Sequence, residues 1–273
     1  MKYSANYSNN INLTDFDEII IRYEAQEAPL LAFLQEHSNQ HIVLEVADIQ
    51  TFEEEHGWET LNHCYAELQN FSVKLGANQP FQDILDNAII ERICANLTMP
   101  YFFGFFATNC EQLQHLLDCG ASQVYIAEDL CFNLTRAKRL CAPYSARLRA
   151  FPNVAQASVK TAPALTKFFI RPEDVDTYSD CIDTLEFWGP LDRQETLLRI
   201  YKKGIWFGDL NDLILDLNLS FDSRRIIPAF ARFRKDCQRE CMKNGRCEVC
   251  DRVYKISEKM QEKDLLFIKK KTH

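Results

Sequence analysis

Residues 101–126 read YFFGFFA, TNCEQLQHLLDCG and ASQVYI in succession, and that order constrains the fold more than any other stretch of the chain. The two flanking segments are continuous apolar runs, the pattern of strands buried on both faces of a parallel sheet. The segment between them predicts a capped helix. Asn109 stands at the N-cap, Gln112 at the capping-box position, Leu113, Leu116 and Leu117 share one face, and Gly120 stands where a C′ glycine ends the turn. Strand, helix and strand in that order form a crossover unit, and crossovers join parallel strands.

The same alternation extends along the chain. Apolar strands are predicted at 2–7, 19–23, 42–46, 102–106, 124–126, 148–151, 168–170 and 184–187. Helices are predicted at 28–36, 135–140, 172–180, 195–201 and 210–217, with two or three more in a long insertion at 51–97. Eight strands with helices between them predict an α/β fold, a (β/α)8 TIM-barrel-like domain over residues 1–222. An irregularity is expected near its start, because the connection from Tyr7 to Ile19 is short for a helical crossover. Residues 223–273 change character: they are polar, carry cysteines, and end in a charged helix-like tail. They read as an appendix too short to bury a core of its own without a metal.

Composition narrows the function. The chain has 273 residues with a net charge of −8, which gives no overall attraction to phosphate backbones, so nucleic acid is not the favoured partner. A small anionic ligand or a protein partner is expected instead. The first residues, MKYSANYSNN, lack the apolar core of a signal peptide. No apolar run approaches the ~20 residues needed to span a bilayer. A cytoplasmic protein is therefore expected, with its 11 cysteines as thiols or metal ligands. The eight glycines contain no G-x-G spacing, so a dinucleotide fingerprint and a P-loop are both excluded.

Four of the cysteines fall together. Cys237, Cys241, Cys247 and Cys250 lie within DCQRECMKNGRCEVCDR, spaced C-x3-C-x5-C-x2-C. Thiolates are soft and anionic, and four of them complete a tetrahedral shell. Lys235, Arg239, Lys243, Arg246 and Arg252 flank the group and would offset its charge. The spacing predicts one metal site and leaves Zn2+ and a [4Fe–4S] cluster as alternatives. The cysteines at 64, 94, 119, 131, 141 and 181 sit among apolar neighbours and read as small core hydrophobes.

In a barrel of this kind, chemistry sits at the C-terminal ends of the strands. Those positions hold Glu24, Glu45, Asp48, Asn109, Glu128, Arg149, Asn153, Arg171 and Glu186. Arg149 and Arg171 are expected to clamp a carboxylate or phosphate, since guanidinium offers a bidentate fork. Glu128 and Glu186 are the expected general acid or base. Asn109 and Asn153 are placed to touch substrate. The competing reading is an Arg–Glu network that closes the top of the barrel.

From Phe168 the chain reads FFIRPEDVDTYSDCIDTLEFWG, then RQETLLRIYKKGIWFGDLNDLI, then the cysteine segment. Arg171, Pro172, Glu173, Asp174, Glu186, Phe187, Gly189, Gly208, Asp209, Leu210, Asp212 and Leu213 carry a pattern that resembles the peptidase U32-like family, and VYIAEDLCFNL with Glu128 resembles its mid-barrel strand. The resemblance covers roughly residues 101–255. It implies a TIM-barrel-like fold and one of two activities. Some members were named peptidases. Others look like oxygen-independent hydroxylases that act on tRNA, rRNA or a quinone precursor and bind a [4Fe–4S] cluster through four cysteines. In those hydroxylases the cysteines are more dispersed than here. Three functions follow as expectations: a hydroxylase-type enzyme acting on a small anionic molecule or a nucleoside, a non-catalytic binding or assembly protein stapled by zinc, and a peptidase.

Overall fold

The computed structural model describes residues 1–6, 15–24, 27–80, 87–155, 167–217, 222–226, 229–235, 237, 252, 255, 256 and 259. Its centre is a closed barrel of eight parallel strands in sequential order. They are β1 (Lys2–Asn6), β2 (Glu18–Arg22), β3 (His41–Val46), β4 (Phe71–Pro80), β5 (Tyr101–Ala107), β6 (Gln123–Ile126), β7 (Arg147–Ala150) and β8 (Thr184–Glu186). β8 closes on β1 with Leu185 opposite Tyr3. Helices pack outside: α1 (Glu27–Glu36), α2 (Ile49–Glu54), α3 (Gly57–Glu67), α4 (Asn87–Asn96), α5 (Cys110–Asp118), α6 (Leu134–Cys141), α7 (Val175–Tyr178), α8 (Leu191–Lys203), α9 (Leu210–Leu213) and α10 (Ala229–Arg234).

The expected TIM-barrel class is observed, with one exchange among its strands. Residues 168–170 form no strand of the barrel, and β4 lies inside the stretch read as a helical insertion. β4 reads FSVKLGANQP; Lys74 interrupts its apolar run, and glycine, asparagine and proline are strand breakers in isolation. In the barrel Phe71, Val73 and Leu75 face the helices, while Ser72 and Lys74 belong to the buried polar set. The pairing of β4 with β5 shifts register between Leu75 and Gln79. Gly76 supplies the left-handed turn of that irregularity, at φ 83°. Gly104 makes room for it, because a Cβ there would stand 2.3 Å from the Gly76 carbonyl oxygen.

Residues 168–170 are apolar for a different reason. Arg234 of α10 is buried with its guanidinium 4.6 Å from the Phe169 ring centre, 4.9 Å from that of Phe230 and 5.8 Å from that of Phe168. Its Nη2 donates to the Lys167 carbonyl oxygen. Leu134 N donates to Lys235 O at 3.1 Å. Residues 229–235 are thus packed on the barrel by buried contacts.

Helix ends follow their sequence signals. Asn109 caps α5, its Oδ1 accepting from Glu111 N and Gln112 N, each at 3.0 Å. Gln112 reaches one residue further back than the capping box predicts, accepting from Thr108 N at 2.9 Å. Gly120 ends the turn at φ 85°. Among the described residues no helix is long and apolar enough to cross a membrane.

Candidate functional site

Strand alternation divides the barrel residues into two sets. Ile42, Leu44, Phe103, Phe105, Val124, Ile126, Leu148 and Leu185 join the large core beneath the helices. Ile20, Val43, Phe102, Tyr125 and Phe151 form a separate cluster inside the barrel. That second cluster surrounds charge. Glu18, Lys74, Arg149 and Glu186 are each 0 % exposed. A barrel interior is ordinarily filled by layers of branched aliphatic side chains; here acidic and basic side chains from four strands meet instead.

Arg149 is the hub. Its Nη1 donates to Glu18 Oε2 at 2.6 Å and to Gln123 Oε1 at 2.8 Å. Its Nη2 donates to Ser4 Oγ at 3.1 Å and to Glu186 Oε2 at 3.2 Å. The guanidinium also lies 4.9 Å from the Phe102 ring centre and 5.3 Å from that of Tyr125. Removing a charge from water costs several kcal/mol unless it is paired and hydrogen-bonded. Burial opposes the charge on Arg149, but Tyr125 and the carboxylates of Glu18 and Glu186 outweigh it and hold the guanidinium more basic than usual. Glu18 answers in kind. Burial pushes its carboxyl up, and Arg149 pulls it down further, to a net position below the ordinary range.

Glu186 joins Arg149 to the rest of the interior. Its Oε2 also accepts the Tyr125 phenol, and its Oε1 accepts from Asn78 Nδ2 at 3.0 Å. Burial, then the neighbouring Glu186 charge, holds the Tyr125 hydroxyl well above the usual phenol range. The phenol is therefore neutral and a donor across physiological pH. Lys74 Nζ lies 2.8 Å from Glu45 Oε1 and 3.9 Å from Glu186 Oε1. Lys74 Nζ, Asn78 Oδ1, Arg149 Nε, Thr184 Oγ1 and Glu18 Oε1 are buried and make no hydrogen bond among the described residues.

The interior connects to the surface through rings and one carboxylate. Tyr125 stacks on Phe151 at 5.2 Å with an interplanar angle of 1°, and Phe151 meets the edge of Trp188 at 5.3 Å. Trp188 is 41 % exposed. The Glu45 side chain, 22 % exposed, stands directly beside the buried Lys74 ammonium.

Arg149 and Glu186, both expected at the strand ends, meet in this network. The clamp expected of Arg149 with Arg171 is not formed, because the two guanidinium groups lie in separate networks. Arg171 pairs with Asp174 at 2.6 and 2.7 Å and donates to the Ser223 carbonyl at 2.5 Å and the Ile226 carbonyl at 3.3 Å. It follows a segment that is no strand of the barrel, and its hydrogen-bond partners are Asp174, Ser223 and Ile226, not the residues around Arg149. Asn153 is 0 % exposed, with Oδ1 accepting from Trp188 N at 2.9 Å and Nδ2 donating to Trp188 O at 2.7 Å. Both ends of its amide clamp the loop after β8. Asn109 is committed to its helix cap, as is Asp48, which accepts from Thr51 N at 3.0 Å. Glu24 is exposed after β2. Glu128 opens a 3-10 turn (Glu128–Phe132) directly after β6, and its side chain lies outside the described residues. Lys74, Tyr125, Glu18 and Asn78 were not singled out from sequence. The signal for Lys74 and Tyr125 was a polar group at an inward step of an otherwise apolar strand.

Of the four clustered cysteines, Cys237 is described. It is half-buried, packs against the core and donates its backbone N–H to Arg234 O at 3.4 Å. Cys241, Cys247 and Cys250 lie outside the described residues. Among the described residues no group of three or more His, Cys, Asp or Glu side chains is placed to hold a metal ion. Cys64, Cys131, Cys141 and Cys181 are buried. Burial pushes the Cys94 and Cys141 thiols up to about 11, as expected of core residues.

No family model matches the chain, and no curated protein does. Several solved structures are similar in fold. An N-acetylneuraminate lyase from Mycoplasma synoviae aligns at 9 % identity and a TM-score of 0.40, over 70 % of this chain and 64 % of the lyase. The chain thus spans a little under two thirds of that protein. A U32 peptidase aligns at 9 % identity and a TM-score of 0.40, over 70 % of this chain and 93 % of the peptidase. A mandelate racemase/muconate lactonizing enzyme from Jannaschia sp. aligns at 11 % identity and a TM-score of 0.37, over 72 % of this chain and 57 % of the other.

Proposed function

We propose that this chain is a barrel enzyme that takes a small anionic molecule inside its barrel and moves a proton there. Glu186 is the proton acceptor, Tyr125 the neutral hydrogen-bond donor, and Arg149 the fixed charge that orients Glu186. One observation carries the reading: Glu186 Oε2 is shared between the Tyr125 phenol and Arg149 Nη2 in the middle of a barrel. A carboxylate held between a neutral acid and a permanent cation is the pairing that general acid–base chemistry uses. The anionic class follows from two buried donors. Lys74 Nζ and Arg149 Nε make no hydrogen bond among the described residues, though both side chains are ion-paired to carboxylates, so a ligand that supplies acceptors, such as a carboxylate, complements them. The reaction class is proton transfer at a carbon next to a carbonyl or carboxylate, where an oxyanion develops and the Tyr125 hydroxyl turns to it from Glu186 as that carboxylate takes up the proton. The test is exchange of carbon-bound hydrogen for deuterium in a panel of small oxo- and hydroxy-carboxylates in D2O, read by proton NMR. Wild-type protein should exchange at least one member, and Glu186→Gln should not.

A second reading is a non-catalytic binding or assembly protein with a structural four-cysteine site. The observation that favours it is the anchor of α10: Arg234, seated among phenylalanine rings, fixes the chain three residues before Cys237. In this reading Cys237, Cys241, Cys247 and Cys250 hold Zn2+ or a [4Fe–4S] cluster. A fully thiolate-bound zinc leaves no open position for chemistry, so no step above passes through it. Metal analysis of anaerobically purified protein decides it: one zinc in a colourless protein supports a staple, and a brown protein with iron and sulfide supports a cluster.

A further inference from the structure

Three segments that take no part in the proton transfer, 171–174, 205–206 and 223–226, are tied together around a hollow. Arg171, buried, joins Asp174 to the carbonyls of Ser223 and Ile226. Glu173 brings in the third segment, its Oε1 accepting from Trp206 N at 2.9 Å and its Oε2 from Ser223 Oγ at 2.9 Å. These residues line a cavity of about 550 Å3, together with Thr177, Ile205, Arg224, Ile226 and Arg232. That volume falls in the range of small-molecule sites, ~300–1,000 Å3.

The lining is one-sided in its hydrogen bonds. Its acceptors are taken: both oxygens of Asp174 accept from Arg171, and both of Glu173 accept from Ser223, one of them also from Trp206. Three donors remain. Arg224 gives Nε and Nη2 to Asp222 at 3.0 and 2.5 Å and lies 5.0 Å from the Phe207 ring centre, so its guanidinium is held still while Nη1 stays unbonded among the described residues. Arg232, exposed on α10, and the Thr177 hydroxyl have no hydrogen-bond or ion-pair partner among the described residues. We propose that this cavity is a second ligand site, outside the barrel, for a small monocarboxylate with an apolar body. The carboxylate meets Arg224 and Arg232, whose planar N–H groups suit two oxygens. The body lies against Ile205 and Ile226. A single negative charge fits better than two, because Asp174, Asp222 and Glu173 already balance the three arginines, and recognition rests on the unfilled donors. An adjoining hollow shares Thr177 and Arg232 but adds Asp176, which repels a carboxylate and directs it towards Arg224.

The experiment is a fluorine NMR titration of the full chain with 4-(trifluoromethyl)benzoate. Wild-type protein should shift and broaden the fluorine signal saturably. Arg232→Met should weaken binding roughly ten-fold, the usual worth of a hydrogen bond to a charged group, and Ile205→Glu should abolish it. Both side chains are exposed, so both variants should fold as wild type does, which a thermal melt checks. Arg199→Met, which removes an exposed arginine of α8 paired with Glu195 at 3.4 Å, should bind the probe unchanged. Three results overturn the proposal: no saturable binding by wild type, binding that survives both Arg232→Met and Ile205→Glu and so lies elsewhere, the barrel interior included, or an equal loss in Arg199→Met, the mark of unspecific attraction to surface charge. Deuterium exchange by the same variants keeps the two sites apart, since the barrel reading stands or falls on Glu186 whatever happens at Arg232.

Discussion

Tyr125 and Glu186 meet inside the barrel, the phenol of β6 donating to the carboxylate of β8, and Arg149 Nη2 reaches the same oxygen at 3.2 Å. Removing the hydroxyl leaves Glu186 with Arg149 and Asn78, so Tyr125→Phe should cost only about 1 kcal/mol of stability. Its effect on turnover should be far larger, roughly 10²-fold or more, because the donor to the developing oxyanion is lost. Urea denaturation and the exchange assay measure the two effects on one preparation.

Arg149 behaves differently because it answers two buried carboxylates, Glu18 and Glu186. Arg149→Met leaves both uncompensated and should cost about 3–5 kcal/mol. The double variant Glu18→Gln with Arg149→Met should recover part of that loss. The size of the recovery, measured by chemical denaturation, is the coupling between the pair.

Arg171 was expected at the mouth and instead ties Asp174 to the carbonyls of Ser223 and Ile226. Arg171→Ala should destabilise by about 3 kcal/mol or more, since it leaves Asp174 buried and alone. Exchange activity per folded molecule should be unchanged. A loss of activity in folded protein would place Arg171 in the site after all.

Asn153 holds the backbone of Trp188 by two hydrogen bonds. Asn153→Ala should cost about 2 kcal/mol, the usual range for leaving buried partners unmade. Trp188 is already 41 % exposed, so its released loop should be seen as a change in tryptophan fluorescence anisotropy, with little change in emission wavelength.

Acid should destabilise the fold in two stages. Burial is the first cause at His41 and lowers its imidazole below the ordinary value, against the opposing pull of Glu18. Below about pH 6.5 the unfolded chain takes up a proton that folded His41 refuses, so stability falls until the folded imidazole also titrates. Glu18 is lowered in the folded state as Arg149 overcomes burial. Its contribution is full above the ordinary carboxylate value of about 4.3 and is lost as pH falls through the folded value. His41→Gln should remove the upper stage of a stability–pH profile and leave the lower one.

Much of the barrel was legible because apolar runs and a capped helix are local signals. β5, α5 and β6 could be read from one stretch, down to the Asn109 cap and Gly120. β4 was not, because its inward positions are Ser72 and Lys74, and a lysine in a strand looks like a surface residue until the opposite wall is known. Phe168 and Phe169 misled for the converse reason: they are apolar to enclose Arg234, a partner dozens of residues away. Charge inside an apolar run did flag Arg149 and Glu186. Nothing local distinguished Arg171 from them, since its acceptors, Ser223 and Ile226, lie 52 and 55 residues further on. The cysteine spacing spoke for a metal more strongly than any other motif, and three of its four thiols lie outside the described residues.

The central claim is that the Tyr125–Glu186–Arg149 cluster does chemistry as well as holding the barrel closed. The direct measurement is the rate of hydrogen–deuterium exchange into a panel of small oxo- and hydroxy-carboxylates, compared between wild-type protein and Tyr125→Phe at equal folded concentration. The account predicts exchange of at least one compound by wild type and a loss of roughly 10²-fold or more in the variant, which stays folded. A wild-type protein that exchanges none of them, or a variant that exchanges as fast, would contradict it and leave the cluster as an ion network that closes the barrel.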